Sequence, residues 1–245
     1  MGLTQFSHLN PLSVLFWSGV AHIVVGLIFK VPLPFQPMKA MALFAVAQGV
    51  SQAELLTAGI VMGAIILALN AVGIFQRMYD VFPMSVIRGI QLGLALMLLK
   101  KAFELISADP HFYNIYGLAG LLPVLFILFF KKRYHYLLVI SVFGFAMSFM
   151  LLTNLLEFPS WSISTHFFQI HLKSLKLTET VFTLILIQLP LTVANSIFSP
   201  ALLIKDYFPE KNVKASSIAT SVGLINLLCL FGGMPACHGA GGLAA

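Results

Sequence analysis

Charge is what this sequence has least of. Only 9% of its 245 residues are Asp, Glu, Lys or Arg, against about 25% in soluble domains. Together with 59% hydrophobic residues and a mean hydropathy of +0.97, that scarcity excludes a water-soluble globular fold. The chain reads as an all-α, multi-pass integral membrane protein, with cell or plasma membrane as the expected location and the lipid bilayer as its first partner. Cysteine is nearly absent. Cys229 and Cys237 lie in apolar surroundings, which excludes a disulfide framework. No basic stretch precedes the first apolar run, so residues 1–10 do not read as a cleavable signal peptide. A formal charge of +6 would point to nucleic acid in a soluble protein. Here the bases sit in short loops between apolar runs and read as topology signals, with no nucleic-acid partner.

A helical span needs about 20 apolar residues, so roughly seven to nine spans fit. Spans are expected at 11–29, 54–75, 83–99, 116–130, 136–152, 179–203 and 216–231. Gly19 and Gly26 in the first, and Gly59 and Gly63 in the second, suit close helix packing. A polar loop is expected at Gln76, Arg77 and Asp80, and Arg88 reads as an interfacial anchor. Trp161, Phe167, Phe168, Leu172 and Leu175 place part of 157–178 at the membrane surface. His166 and His171 have no ligand partner at metal-binding spacing. His22 is the one titratable group of the first span, either packed or acting as a proton relay.

Two stretches do not fit a regular span. Pro32-Leu33-Pro34-Phe35-Gln36-Pro37-Met38-Lys39-Ala40 carries three prolines in six positions, each removing a donor and clashing with the preceding turn. Leu33 and Gln36, each before a proline, are pushed towards extended backbone. The helix that follows, about 38–48, is ~16 Å long at 1.5 Å per residue, or half a bilayer. Gly232-Gly233-Met234-Pro235-Ala236-Cys237-His238-Gly239-Ala240 repeats the pattern, with Pro34 matching Pro235, Gln36 matching Cys237 and Lys39 matching Ala240. Broken backbone in lipid is tolerated only where protein buries it or a cavity opens. Two interrupted segments in matching positions point to a secondary transporter of inverted repeats, with substrate between them. A half-helix starting near the midplane offers free N–H groups and a positive dipole end to an anion. Lys39 in its first turn either helps to hold that anion or reaches out to water.

One regular helix completes the pattern. At 179–203, Gln188, Thr192, Asn195 and Ser199 share a helical face around Pro190, lining a cavity or joining helices. No carboxylate sits centrally in any span, which leaves His22 and His238 as proton carriers. Alternate loops hold eight bases (Arg77, Arg88, Lys131, Lys132, Arg133, Lys205, Lys211, Lys214) against four (Lys100, Lys101, Lys173, Lys176), so the first set is expected to be cytoplasmic. An intramembrane enzyme using Cys237 and His238 would need a third orienting group, and none is evident.

Pro34-Phe35-Gln36-Pro37-Met38-Lys39-Ala40, Arg88-Gly89-Ile90-Gln91-Leu92-Gly93, Leu189-Pro190-Leu191-Thr192 with Asn195-Ser196, and the run from Gly232 to Leu243 together resemble the molybdate transporter family. That family is related to sulfate permeases and shares a fold with uracil–proton symporters. The resemblance implies a seven-plus-seven inverted repeat, with core-type helices at about 11–75 and 179–245 and gate-type helices at about 83–152. It implies alternating-access transport of a tetrahedral oxyanion, molybdate first and sulfate as the alternative, with no cofactor. The N–H groups of Met38, Lys39 and Ala40 and of Gly239, Ala240 and Gly241 would hold the oxyanion. Gln36 and His238 would add side-chain hydrogen bonds, and Thr192 and Asn195 would line the wall. A proton or sodium ion would be coupled, and a homo-oligomer or complementary chain is an expected partner. The family's first-helix Gly-Asp motif and its spans beyond the second half-helix have no match here, so a fragment or split-gene piece is also expected.

Overall fold

The computed structural model describes residues 9–81 and 175–244, some positions between 83 and 100, and Gly144. The chain divides into two compact units, Met1–Leu92 with Ile163–Ala245, and Gly93–Ser162. Every element named below belongs to the first. The spans expected at 116–130 and 136–152, and the surface segment up to residue 174, lie outside the described residues.

Helix α1, Pro11–Phe29, starts where Asn10 accepts the N–H groups of Leu12 and Ser13, with Pro11 at a position that needs no donor. It ends where Lys30 turns left-handed at φ 53°. The first broken segment follows and contains the two-residue strand β1, Gln36–Pro37. Helix α2, Lys39–Gln48, then stops at Gly49, whose φ of 63° suits a residue without Cβ. Helix α3, Gln52–Ala71, opens with a capping box. Ser51 accepts the Glu54 N–H, and the Glu54 carboxylate accepts the Ser51 N–H.

Gly73, at φ 73°, turns the chain into α4, Ile74–Val81. This corrects the loop expected at Gln76–Asp80: those residues are helical, and Gln76 Nε2 donates to Asp80 Oδ1 across one turn at 3.0 Å. Described positions between 85 and 92 are also helical. The expected regular helix from Glu179 is replaced by a composite. Helix α5, Glu179–Leu191, runs into a π-helical stretch, Thr192–Phe198, and then into α6, Ser199–Tyr207. Pro190 supplies no N–H, and the turn after it widens, a change π-bulges commonly make at functional sites. The Ser199 hydroxyl donates to Ala194 O five residues back, as the wider turn allows. Helix α7, Ala215–Leu227, tightens into a 3-10 turn, Leu228–Phe231, before the second broken segment. That segment contains strand β2, Ala236–Cys237, and leads into α8, Ala240–Ala244.

Among the described residues, Pro11–Phe29, Gln52–Ala71 and Glu179–Tyr207 are long and apolar enough to cross a membrane. Their exposed faces carry Leu15, Ile23, Leu27, Ile28, Phe182 and Leu186, a surface suited to lipid. The protein is a multi-pass, all-α integral membrane protein.

The core is centred on α3 against α7. A Cβ at Gly63 would lie 2.8 Å from the Gly223 carbonyl oxygen, and one at Gly59 would lie 2.6 Å from Cys229 Sγ. These glycines let the two backbones approach closely. Asn70 Nδ2 fastens the pair's end by donating to Ser216 O at 2.9 Å and Thr220 Oγ1 at 2.8 Å. Among the described residues, no atom lies within 4 Å of a Cβ built at Gly19 or Gly26.

Candidate functional site

The two broken segments meet. β1 and β2 pair antiparallel, with Gln36 opposite Cys237 and Pro37 opposite Ala236. The Met38 N–H extends the pairing by donating to Pro235 O at 3.0 Å. Prolines on both strands limit the donors each can offer, and side chains supply the remainder. Asn226, fully buried on α7, accepts the Ala236 N–H at 3.1 Å and donates to Ala236 O at 2.8 Å. Its carboxamide thus pairs with both polar groups of one residue, as a neighbouring strand would.

Gln188 on α5 acts in a similar way on α2. Its Oε1 accepts the N–H groups of Ala40 at 3.0 Å and Met41 at 3.1 Å. Its Nε2 donates to Thr192 Oγ1 at 3.0 Å. A side-chain oxygen therefore sits where a helix N-terminus would receive an anion. Of the N–H donors expected around the first half-helix, Met38 and Ala40 are engaged within the protein in this arrangement. The polar stripe is intact and buried: Gln188, Thr192, Asn195 and Ser199 are each at most 4% exposed.

Gln36 reaches across to the other segment. Its amide nitrogen occupies the place a Cβ on Gly239 would take, so a side chain there would have to displace the Gln36 amide. The Gln36 Nε2 atom is buried and has no hydrogen-bond partner among the described residues. Such an orphan donor is uncommon in a packed interior and calls for an explanation. Lys39, partly buried, lies beside Cys237. Ala240 is buried and Gly241 exposed at the start of α8.

His238 is fully buried, with its two ring nitrogens directed to Pro34 O and Ser221 Oγ, each at 2.8 Å. It joins the second broken segment to the first and to α7. Both nitrogens are thereby directed away from the neighbouring Cys237, and the pair makes no nucleophile–base contact. Helix α1 holds the first segment and the turn that leads into the second: Trp17 Nε1 donates to Phe231 O at 2.9 Å, and His22 Nε2 accepts the Phe35 N–H at 3.3 Å.

Gln188 and Asn226 are the residues sequence reasoning left out of the site. Gln188 stands in the polar stripe, and Asn226 lies within the last expected span, 216–231. The usable signal was a carboxamide with no charge nearby, on a span facing each proline-broken segment.

The chain matches the family model described as a molybdate transporter of the MFS superfamily over residues 1–98 and 180–245. It belongs to the molybdate transporter family. This member is 30% identical to molybdate transporter 1 of Arabidopsis thaliana over 287 aligned residues, covering 100% of the chain and 63% of that protein. It is also 30% identical to Arabidopsis molybdate transporter 2, covering 99% of the chain and 62% of the relative. A 32% match to molybdate transporter 1 of Chlamydomonas reinhardtii covers 43% of the chain and 21% of that protein. The chain therefore spans a little under two thirds of the length of the Arabidopsis relatives. The matched residues of this family member include both broken segments, their pairing and the polar stripe.

Proposed function

We propose that this chain carries the oxyanion site of a secondary molybdate transporter, working by alternating access. The observation that carries the reading is the paired crossing of two proline-broken segments with a buried amide donor, Gln36 Nε2, that has no partner among the described residues. Family membership and relatives named molybdate transporters support the substrate. Antiparallel pairing of matching residues supports the inverted repeat.

In this reading molybdate sits between the segments. Gln36 Nε2 and the Lys39 N–H donate from the first, and Gly239, Ala240 and Gly241 N–H groups donate from the second. The Lys39 ammonium offsets one of the dianion's two charges. Thr192 and Asn195 form the wall. The N–H of Ala40 joins when Gln188 gives way, and Met38 and His238 hold the crossing in register unless the pairing opens. Helices at about 11–75 and 179–245 form the moving core, and those at about 83–152 the gate.

The test is uptake of radiolabelled molybdate into liposomes holding the purified chain, with sulfate as competitor. Saturable uptake that falls at least tenfold in Gln36→Ala is the expected result. Uptake no greater than in protein-free liposomes would contradict transport by this chain.

A further inference from the structure

One peptide group of the first broken segment is held from both sides by histidines. The N–H of Phe35 and the C=O of Pro34 belong to the same peptide unit. The N–H donates to His22 Nε2 at 3.3 Å, and the carbonyl faces His238 Nδ1 at 2.8 Å. At the outer ends His22 Nδ1 faces Ser18 O at 3.0 Å, and His238 Nε2 faces Ser221 Oγ at 2.8 Å. The partners fix the tautomers. Ser18 O and Pro34 O only accept, so Nδ1 carries the hydrogen on both rings. The Phe35 N–H only donates, so His22 Nε2 must be bare.

The two rings then respond differently to a proton. On His238 the proton would add at Nε2, and the Ser221 hydroxyl, which rotates freely, would change from donor to acceptor. No hydrogen bond is lost. On His22 the proton would add to the Nε2 lone pair that the Phe35 N–H now uses. Two donors then face each other, and the tether breaks. The step forms the His22 Nε2–H bond and breaks an O–H bond of a hydronium ion, which leaves as water; no other covalent bond changes.

We propose that His22 is a proton site coupled to the first broken segment, neutral when it tethers Phe35 and releasing it when protonated. The tethered peptide immediately precedes Gln36. On the reading of that segment as half of an oxyanion site, the release is the proton-linked step of the carrier. The other titratable and charged groups described around α1 and the crossing are these. The first broken segment and α2 bring Lys39, and the second brings Cys237 and His238. Helix α7 offers the hydroxyls of Ser217, Thr220 and Ser221, the loop before it brings Glu210 and Lys211 alongside α1, and α1 itself ends at Lys30. Imidazole is the side chain that ordinarily changes charge between pH 5 and 8.

Amide hydrogen exchange on the whole chain in detergent, corrected for intrinsic rates, tests the proposal. Between pH 8 and pH 5.5, protection of the peptide containing Phe35 should fall at least tenfold, while α3 keeps its protection. His22→Gln supplies an acceptor that does not titrate, so its protection should stay high at both values. His22→Ala, with no acceptor, should be poorly protected at both, and it serves should the glutamine variant fail to fold. Protection independent of pH in the unsubstituted protein, or a fall that persists in either variant, overturns the proposal. No oxyanion enters the readout, so the result stands apart from whether molybdate binds.

Discussion

Asn226 shows how much a single carboxamide does in this molecule. It meets both the N–H and the C=O of Ala236 in a site with no solvent. Leucine at that position is similar in size but leaves two buried backbone groups unpaired, each costing about 1–3 kcal/mol. Asn226→Leu should lower unfolding free energy by roughly 2–6 kcal/mol, readable in a denaturant titration in detergent. Gln188 differs because an anion could take its place. Gln188→Ala frees the N–H groups of Ala40 and Met41, so the variant should melt earlier than the parent. Molybdate should then restore the loss and raise its melting temperature by more than it raises the parent's. A variant that melts early and gains nothing from molybdate would make Gln188 a structural cap alone.

Among the elements, α3 and α7 are matched by absence of side chain. Alanine at Gly63 would press on the Gly223 carbonyl oxygen, backbone that cannot swing aside. Gly63→Ala should therefore cost about 1–3 kcal/mol, as overpacking does. Gly26→Ala meets no described atom and should be neutral or slightly stabilising, since alanine favours helix. Thermal unfolding of the two variants side by side checks both. At the crossing, Gly239→Ala would drive a methyl group into the Gln36 amide. It should abolish the molybdate response at little cost to the α3–α7 core, while Gly241→Ala, with nothing within 4 Å, should retain it.

These elements also mark how far the sequence could be read. Proline fixes backbone locally, so both broken segments and the bounds of α1 were legible. Pairing between them was legible only as a correspondence of positions, because two-residue strands carry no periodic signal. Paired glycines mark both α1 and α3 in the sequence, yet among the described residues it is those of α3 that meet a neighbour; which neighbour arrives is a tertiary fact. The π-helical stretch after Pro190 was hidden because the polar stripe reads equally well at α-helical spacing. Helix α4 is hidden in the sequence because Gln76, Arg77 and Asp80 read as well as a polar loop between two spans.

At the scale of the whole molecule, the low charge content, the apolar outer faces and the buried polar crossing describe one design. Polar groups are gathered where two segments break, and protein rather than lipid surrounds them. Side-chain amides from α5 and α7 complete backbone hydrogen bonding there, and histidines from α1 and the second segment hold the first in place. What distinguishes a binding site from a mere seam is whether an oxyanion joins this network. Thermal unfolding of the purified chain in detergent, titrated with molybdate and in parallel with sulfate, asks that question directly. A ligand that binds only the folded state raises stability with the logarithm of its concentration, by about 2.7 kcal/mol at a hundredfold excess over Kd. Molybdate should raise the melting temperature in this way, and Gln36→Ala should remove the effect while Gly26→Ala keeps it. A melting temperature indifferent to molybdate, or a shift that survives Gln36→Ala unchanged, would show that the crossing of the two segments is not where the anion binds.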